Sequence, residues 1–435
     1  MEEFAPGTRI PTLDGDALEI IQKLGDGGQG IVYKVRYNGE ELALKWYFPN
    51  KLHDKTKFYS NIENNIKKGA PTDNFLWPIQ ITKEYEGSFG YLMRLRPSEY
   101  KDFSQFLLAK VHFSGVDAVI NAALSIITSF GALHRNGFSY QDLNDGNFFI
   151  NPQNGDVLIC DNDNVAPYGE ALGIAGKCRY MAPEIVVGKK KPSIKTDQFS
   201  LAVVLYMLLF LNHPLEGKRT MCPCLTEELE YKYYGEAPVF VYDDDNDINR
   251  PVKGVHTNEL KLWTLYPKFI REIFKRAFAR NAMVGNEAES YRVTENEWEN
   301  TFIQLLNVTI KCPSCGEITF VDRASKNGPV CIDCGRPISR VPILKVGRHE
   351  VILAPDKVLH PYHVMKDKKD YRSIVGRVIT SKVNPGVFGL KNDTGVAWEA
   401  IMKDGSIEII NDGKIVKLSK NMRIKFAYDC IGEIV

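Results

Sequence analysis

Asp142 and Asn147 stand five residues apart in Tyr140-Gln-Asp-Leu-Asn-Asp-Gly-Asn147, and Asp161 follows one short hairpin later in Cys160-Asp-Asn-Asp163. A loop carboxylate can orient a hydroxyl for attack, while an asparagine and a second carboxylate offer oxygens of the kind that hold magnesium between nucleotide phosphates. The chemistry open to such a set is transfer of the γ-phosphoryl group of ATP, with Asp142 as base and Asn147 and Asp161 as magnesium ligands. Alone, Asp-x-x-x-x-Asn is as easily a solvated turn, so the reading depends on what lies upstream and downstream.

Upstream, Leu18 to Leu24 alternates into Gly25-Asp26-Gly27-Gly28-Gln29-Gly30, followed by Ile31 to Val35, a turn at Asn38-Gly39, and Glu41-Leu-Ala-Leu-Lys45-Trp-Tyr-Phe48. Turn residues flanked by β-rich runs predict paired strands around a glycine loop. Dinucleotide-binding folds use similar glycine spacing, but there the last glycine opens a helix. Here Gly30 opens a strand and Lys45 comes fifteen residues later. Backbone amides would then approach phosphates, and Lys45 would neutralise their charge.

Lys45 needs an acidic partner. Between Asp54 and Lys68, Phe58, Ile62 and Ile66 recur at every fourth position, which predicts a helix with one buried face. Glu63, beside that face, is the expected partner; the alternative is a solvated helix residue. After Trp77-Pro-Ile-Gln80, two further strands end at Tyr91-Leu-Met-Arg-Leu95, with Met93 expected to guard the back of an adenine pocket.

From Lys101 to Gly137 the pattern is helical, with Ala122, Ile126, Phe130 and Leu133 in its stripe and a stop at Asn136-Gly137. His134, at the end of that stripe, reads as a packing or capping residue rather than a base. The apolar run Leu201 to Leu211 is eleven residues, against roughly 20 for a bilayer span, and predicts a buried core helix. With 435 residues, 44% hydrophobic content and a net charge of +1, the chain reads as a soluble protein of two or three domains whose charge suggests no nucleic-acid partner. Its start shows neither the basic flank nor the apolar stretch of a secretory signal, so no membrane and a cytoplasmic location are expected.

Gly25, Gly27, Gly30, Lys45, Glu63, Asp142, Asn147, Asp161, Ala182-Pro183-Glu184, Asp197 and Arg292 together resemble, in order and spacing, the signature set of eukaryotic-like Ser/Thr protein kinases over about residues 15 to 308. The resemblance implies a two-lobed domain at 1–308, its N-lobe about 15–96 and its C-lobe about 97–308. It implies ATP contacts from Gly25, Asp26, Gly27, Gly28, Gln29, Gly30, Val32, Ala43, Lys45 and Met93, and magnesium on Asn147 and Asp161. It further implies that Glu184 pairs with Arg292, that Asp197 supports the catalytic loop, and that protein Ser/Thr is the substrate.

Departures from the family pattern are informative. Tyr140-Gln141-Asp142 stands where His-Arg-Asp is usual, so the arginine that receives an activation-loop phosphate is missing. Asp161-Asn162-Asp163 replaces Asp-Phe-Gly. Between Asp161 and Glu184 there is no serine or threonine, only Tyr168 and Tyr180. Control by Ser/Thr phosphorylation of that segment is therefore not expected. Asn144 and Lys177 occupy positions where relatives carry a lysine and a threonine, so Lys177 is expected to contact the γ-phosphate or Asp142; the alternative is an exposed loop lysine. The retained charge partners favour an active enzyme over a pseudokinase scaffold. The complete Met-Ala-Pro-Glu segment speaks against a small-molecule kinase.

An insert between His213-Pro-Leu-Glu-Gly217 and Tyr266-Pro267 carries an acidic run, Asp243 to Asp247, read as a solvated face. Cys222, Cys224 and the lysines at 189–191 receive no role. Beyond it, Cys312-Pro-Ser-Cys315 and Cys331-Ile-Asp-Cys334 have zinc-ribbon spacing, so residues 309–340 are expected to hold a structural zinc in four-cysteine coordination, with iron as the minor alternative. Such ligation suits a reducing compartment better than disulfides do. Residues 341–435 alternate as strands, for example Pro342 to Val346 and Trp398 to Met402, and predict a small all-β sandwich. That domain is weakly similar to forkhead-associated domains, which implies a phosphopeptide site with Arg348 or Arg377 first to test; the family's usual serine and asparagine contacts cannot be placed, and the alternative is a stabilising or docking module. The expected fold class is thus multidomain α+β: kinase, ribbon, sandwich. The whole arrangement resembles the bacterial kinases of tellurite-resistance-type phosphorylation triads, which implies a signalling role beside a von Willebrand A domain protein and a metal-dependent phosphatase.

Overall fold

The computed structural model describes residues 3–52, 54–173, 176–321, 329–339, 341–365, 368, 370–371, 373–384, 386–426 and 430–435. Within the expected segments, residues 174–175, 322–328 and Arg340 lie outside the described residues. Contacts divide the chain into two compact units, residues 1–263 with 271–299 and residues 264–270 with 300–435.

The first unit begins with an antiparallel sheet of strands β1 (Arg9–Pro11), β2 (Ala17–Asp26), β3 (Gly30–Tyr37), β4 (Glu40–Tyr47), β5 (Gln80–Ile81) and β6 (Gly90–Arg94), in the order β1-β2-β3-β4-β6-β5. The hairpin β2–β3 carries the glycine loop at its tip. Gly30 is irreplaceable there, because a Cβ would stand 2.0 Å from the Trp46 carbonyl oxygen across the strand pair. Helix α1 (Lys55–Lys68) is capped by Asp54, whose side chain accepts from the Lys57 N–H. It buries Phe58, Asn61, Ile62 and Asn65. Two asparagines thus share the face that the aliphatic spacing led us to expect at Phe58, Ile62 and Ile66.

The helical region expected from Lys101 to Gly137 is two helices, Phe103–Leu107 and α2 (Val116–Arg135), separated by a link at 108–115 that ends in Ser114-Gly115. By length and composition α2 could cross a membrane, yet 67% of its apolar window is buried inside the fold. Strands β7 (Phe148–Ile150) and β8 (Val157–Ile159) pair antiparallel beneath the catalytic loop. Helix α3 (Ile194–Phe210) buries every residue from Thr196 onward, as its unbroken apolar run predicts. The insert is stitched into this core. Phe240 and Val241 are buried, Tyr242 stacks on Trp263 at 3.9 Å, and the Asn249 side chain donates to the Leu215 and Val239 carbonyls. Of the acidic run, Asp244, Asp245 and Asp247 are exposed, and Asp244 pairs with Lys275 at 2.7 Å.

His134, at the end of α2, is buried between Asp197 (3.1 Å) and Glu295 (2.8 Å), the first residue of helix α4 (Glu295–Asn307). Burial opposes its charge, but the two carboxylates outweigh it and push the imidazole up to about 9. A histidine raised above its unfolded value stabilises fully below about pH 6.5, and the contribution fades as pH rises through the folded value. We expect roughly 3 kcal/mol to be lost across that window, read as a falling urea midpoint. His134→Gln should flatten the slope, and an unchanged slope would show that the bridge is not protonated.

The second unit holds the cysteine segment, with strands β9 (Thr309–Lys311) and β10 (Ile318–Phe320), and, among the described residues, ten further strands: β11 (Ile343–Val346), β12 (His349–Ile352), β13 (Val358–Leu359), β14 (Gly376–Thr380), β15 (Phe388–Asn392), β16 (Trp398–Ile401), β17 (Ile407–Ile410), β18 (Ile415–Lys417), β19 (Arg423–Phe426) and β20 (Cys430–Ile434). They form sheets ordered β12-β11-β20-β19-β16-β17 and β13-β14-β15-β18. Leu344, Trp398 and Ile424 of the first sheet and Leu359, Val378, Leu390 and Val416 of the second share one core. Within this unit Lys357 Nζ donates to the Leu306 carbonyl and the Thr309 hydroxyl, both at 2.7 Å.

Candidate functional site

Strands and loops of the first unit bring most of the expected residues to one cleft. Ala43, Met93 and Cys160 belong to a single apolar cluster with Val32, Leu95 and Phe149 packed on it, a surround suited to an adenine ring. Met93 is 6% exposed and sits opposite Ala43 in the β4–β6 ladder. Gly25, Gly27 and Gly28 have open space where a side chain would be, and the Gly27 N–H donates to the Gly30 carbonyl across the loop.

Lys45 does not meet Glu63. Its Nζ lies 3.0 Å from Asp161 and 2.8 Å from Asp163, and Glu63, half-buried on α1, makes no ion pair with any described residue. The physical reason lies in α1. Asn61 and Asn65, one helical turn apart, both donate to the Val165 carbonyl (2.8 and 2.9 Å), so the helix docks on the segment after Asp163 through amides. Glu63 is turned aside from that face. Asp163 is fully buried and receives the Tyr47 and Tyr91 hydroxyls at 2.5 and 3.2 Å. Burial works against the Lys45 charge, and the two aspartates more than offset it.

The catalytic loop hangs from Tyr140. Its backbone N–H donates to Asp197 at 2.7 Å, the support expected from below, and its buried hydroxyl donates to the Cys160 carbonyl. Gln141 adopts a left-handed conformation (φ 64), which aims its amide at the activation segment. Its Nε2 donates to the Glu170 carbonyl at 2.6 Å, and its Oε1 accepts from the Leu172 N–H at 3.0 Å. Asp142 accepts from the Asn144 side chain at 3.1 Å. Burial first, then the nearby Asp161 charge, pushes its carboxyl up to about 6, partly offset by Asn144 and Lys177. Gly176 packs against it, and a Cβ there would stand 3.0 Å from the carboxylate.

Asn147 is buried and accepts from the Asn144 N–H at 2.7 Å. Asp161 is left-handed (φ 54, ψ 41) with its side chain 40% exposed to the cleft. Carboxylate and amide oxygens at these two positions suit a hard cation such as magnesium. Lys177 reaches back to the catalytic loop, with Nζ 3.1 Å from Asp145 rather than bonded to Asp142, while its charge still acts on Asp142. Glu184 and Arg292 pair at 2.7 Å, nearly buried. His213, from the stretch before the insert, donates through Nε2 to the Arg179 carbonyl, and Glu216 takes the Arg179 guanidinium at 2.9 Å.

In the second unit the two cysteine knuckles repeat one geometry. The Gly316 and Gly335 N–H groups close onto the Cys312 and Cys331 carbonyls, and both glycines are left-handed (φ 81 and 69). The sulfurs of Cys312, Cys315, Cys331 and Cys334 lie within 4.8 Å of one another. Two of their separations, 3.8 Å for Cys312–Cys334 and 3.5 Å for Cys315–Cys331, lie at or just below the edge of about 3.8 Å that a tetrahedron with zinc–sulfur bonds of about 2.3 Å requires. Backbone N–H groups of Cys315 and Ser314 hold the Cys312 thiol below its ordinary range, which favours a thiolate. Arg377 is engaged with Asp393 at 2.8 Å, which Lys391 also holds at 2.6 Å. Arg348 sits beside the hairpin glycine between β11 and β12.

A family model for the protein kinase domain matches residues 18–241. The chain belongs to the protein kinase domain family. Its kinase domain is similar to the serine/threonine-protein kinase mos of Gallus gallus, 24% identical over 236 residues, covering 48% of this chain and 66% of that protein. It is also similar to the NUAK family SNF1-like kinase 2 of Rattus norvegicus, 26% identical over 204 residues, 46% of this chain and 32% of the relative. The chain thus spans less than two thirds of these relatives. Among solved structures, the Mycobacterium tuberculosis PknI kinase domain covers 69% of this chain and 99% of its own length, at 17% identity and a TM-score of 0.45.

Proposed function

We propose that the chain is an ATP- and magnesium-dependent protein kinase that phosphorylates serine or threonine. The observation that carries this reading is the gathering of Lys45, Asp142, Asn147 and Asp161 at one cleft, with the Asp142 carboxyl poised near pH 6. Asp142 orients the attacking hydroxyl and takes its proton. Lys45 holds nucleotide phosphate, and the Asn147 and Asp161 oxygens would hold magnesium, which would supply charge neutralisation for phosphoryl transfer. The test is incubation with γ-labelled ATP and a generic basic protein, followed by phosphoamino acid analysis. Phosphoserine or phosphothreonine is expected, and phosphotyrosine alone would overturn the specificity.

Regulation follows the same geometry. Gln141 ties down the Glu170 and Leu172 backbone with neutral hydrogen bonds, a tether that needs no phosphate. Together with the lack of serine and threonine between Asp161 and Glu184, this supports a kinase not switched by Ser/Thr phosphorylation of its activation segment. The role of Lys177 is to balance charge around Asp142 and Asp145 during transfer. Lys177→Ala is expected to lower kcat about tenfold with less than a threefold change in ATP affinity; a loss confined to affinity would contradict this.

For the second unit, the gathering of four cysteine sulfurs supports a structural zinc, and two sheets sharing one core support a small docking module, whose forkhead-associated character rests on the sequence resemblance alone. A phosphopeptide would have to draw Arg377 away from Asp393, so Arg348 is the freer candidate. The resemblance to the tellurite-resistance-type kinases supports bacterial cytoplasmic signalling alongside a von Willebrand A domain protein and a phosphatase.

A further inference from the structure

We propose that Asp163, not a helix α1 glutamate, is the positioning residue for Lys45, an assignment that rests on the phosphoryl-transfer reading above. The two aspartates that flank Asn162 differ in a way that divides their labour. Asp161 has 40% of its side chain exposed to the cleft, open to a metal, whereas Asp163 has none. Both contact Lys45, but only Asp163 is itself fixed, by the Tyr47 and Tyr91 hydroxyls. Were Asp161 to hold magnesium, Asp163 would still hold the ammonium in place. A buried carboxylate with three donors is costly to move, so the lysine has a fixed address.

The arrangement also changes what α1 does. With its amides on the Val165 carbonyl, the helix steers the segment that carries Asp163 rather than the lysine directly. Asn61 and Asn65 therefore act on the lysine only through that backbone.

The test compares Asp163→Asn and Glu63→Gln in the full chain, with kcat, ATP dissociation constant and magnesium half-saturation measured on the same samples. Asp163→Asn is expected to lower kcat about tenfold or more while the ATP dissociation constant and the magnesium half-saturation each move less than about threefold. Glu63→Gln should leave all three within about twofold. A loss of magnesium affinity in Asp163→Asn would instead make it a metal ligand, and equal damage from Glu63→Gln would restore the helix partner; either result overturns the proposal. Should Asp163→Asn fail to fold, Tyr47→Phe keeps the charge and removes its tether, and unchanged turnover there overturns the proposal as well. A wild-type chain that transfers no phosphate defeats the underlying reading, whereas an active wild type with an equally active Asp163→Asn defeats only this inference.

Discussion

Asp142→Asn is expected to lower phosphoryl transfer by about 10²–10⁴-fold while leaving ATP binding within a few-fold of wild type. The asparagine keeps the size and the hydrogen bond to Asn144 but cannot take a proton. The wild-type pH profile should bear the same signature. Burial and the Asp161 charge raise the Asp142 carboxyl to about 6, so the ionised base is lost as pH falls through that value and kcat declines below it. Stopped assays between pH 5 and 8 with constant ionic strength check this, and a flat profile would remove Asp142 from the rate-determining proton transfer.

The second large effect concerns the cysteine segment. Removing zinc with a strong chelator, or substituting Cys331→Ser, is expected to open residues 309–339 to protease while nucleotide binding persists. Structural zinc sites contribute about 10–16 kcal/mol of folding free energy, far more than a short pair of strands can supply. Metal analysis of the purified chain should return about one zinc per chain. An intact proteolytic pattern after chelation, with no metal in the starting material, would show that the four sulfurs gather without an ion.

What the residues revealed in advance, and what they hid, follows from how local each signal is. The glycine loop, the lysine after it, the Asp142 to Asn147 spacing and the paired cysteines each sit within one turn or hairpin, where backbone geometry fixes the spacing. The Glu184–Arg292 pair and the Asp197 support, implied by resemblance, were found at hydrogen-bonding distance. The partner of Lys45 was not legible. It depends on which polar residues of α1 meet the segment after Asp163, a tertiary matter that the aliphatic periodicity, right about Phe58 and Ile62, does not decide. The signal that could have revealed it was Asn61 and Asn65, two amides four residues apart beside the apolar stripe, since buried polar side chains need partners. The acidic second residue after Asp161 was the other half of that clue. The insert hid its part differently: its charges marked a solvated face, while Phe240 and Asn249 in the same stretch build the core.

The most direct measurement is single-turnover transfer by the wild-type chain. Labelled ATP is bound with magnesium, an acceptor protein is added, and label on protein hydroxyls is followed against label remaining on nucleotide. Transfer that requires magnesium and yields phosphoserine or phosphothreonine is expected. Tight ATP binding with no label transferred to any acceptor, including the chain itself, would contradict it and leave a nucleotide-binding scaffold.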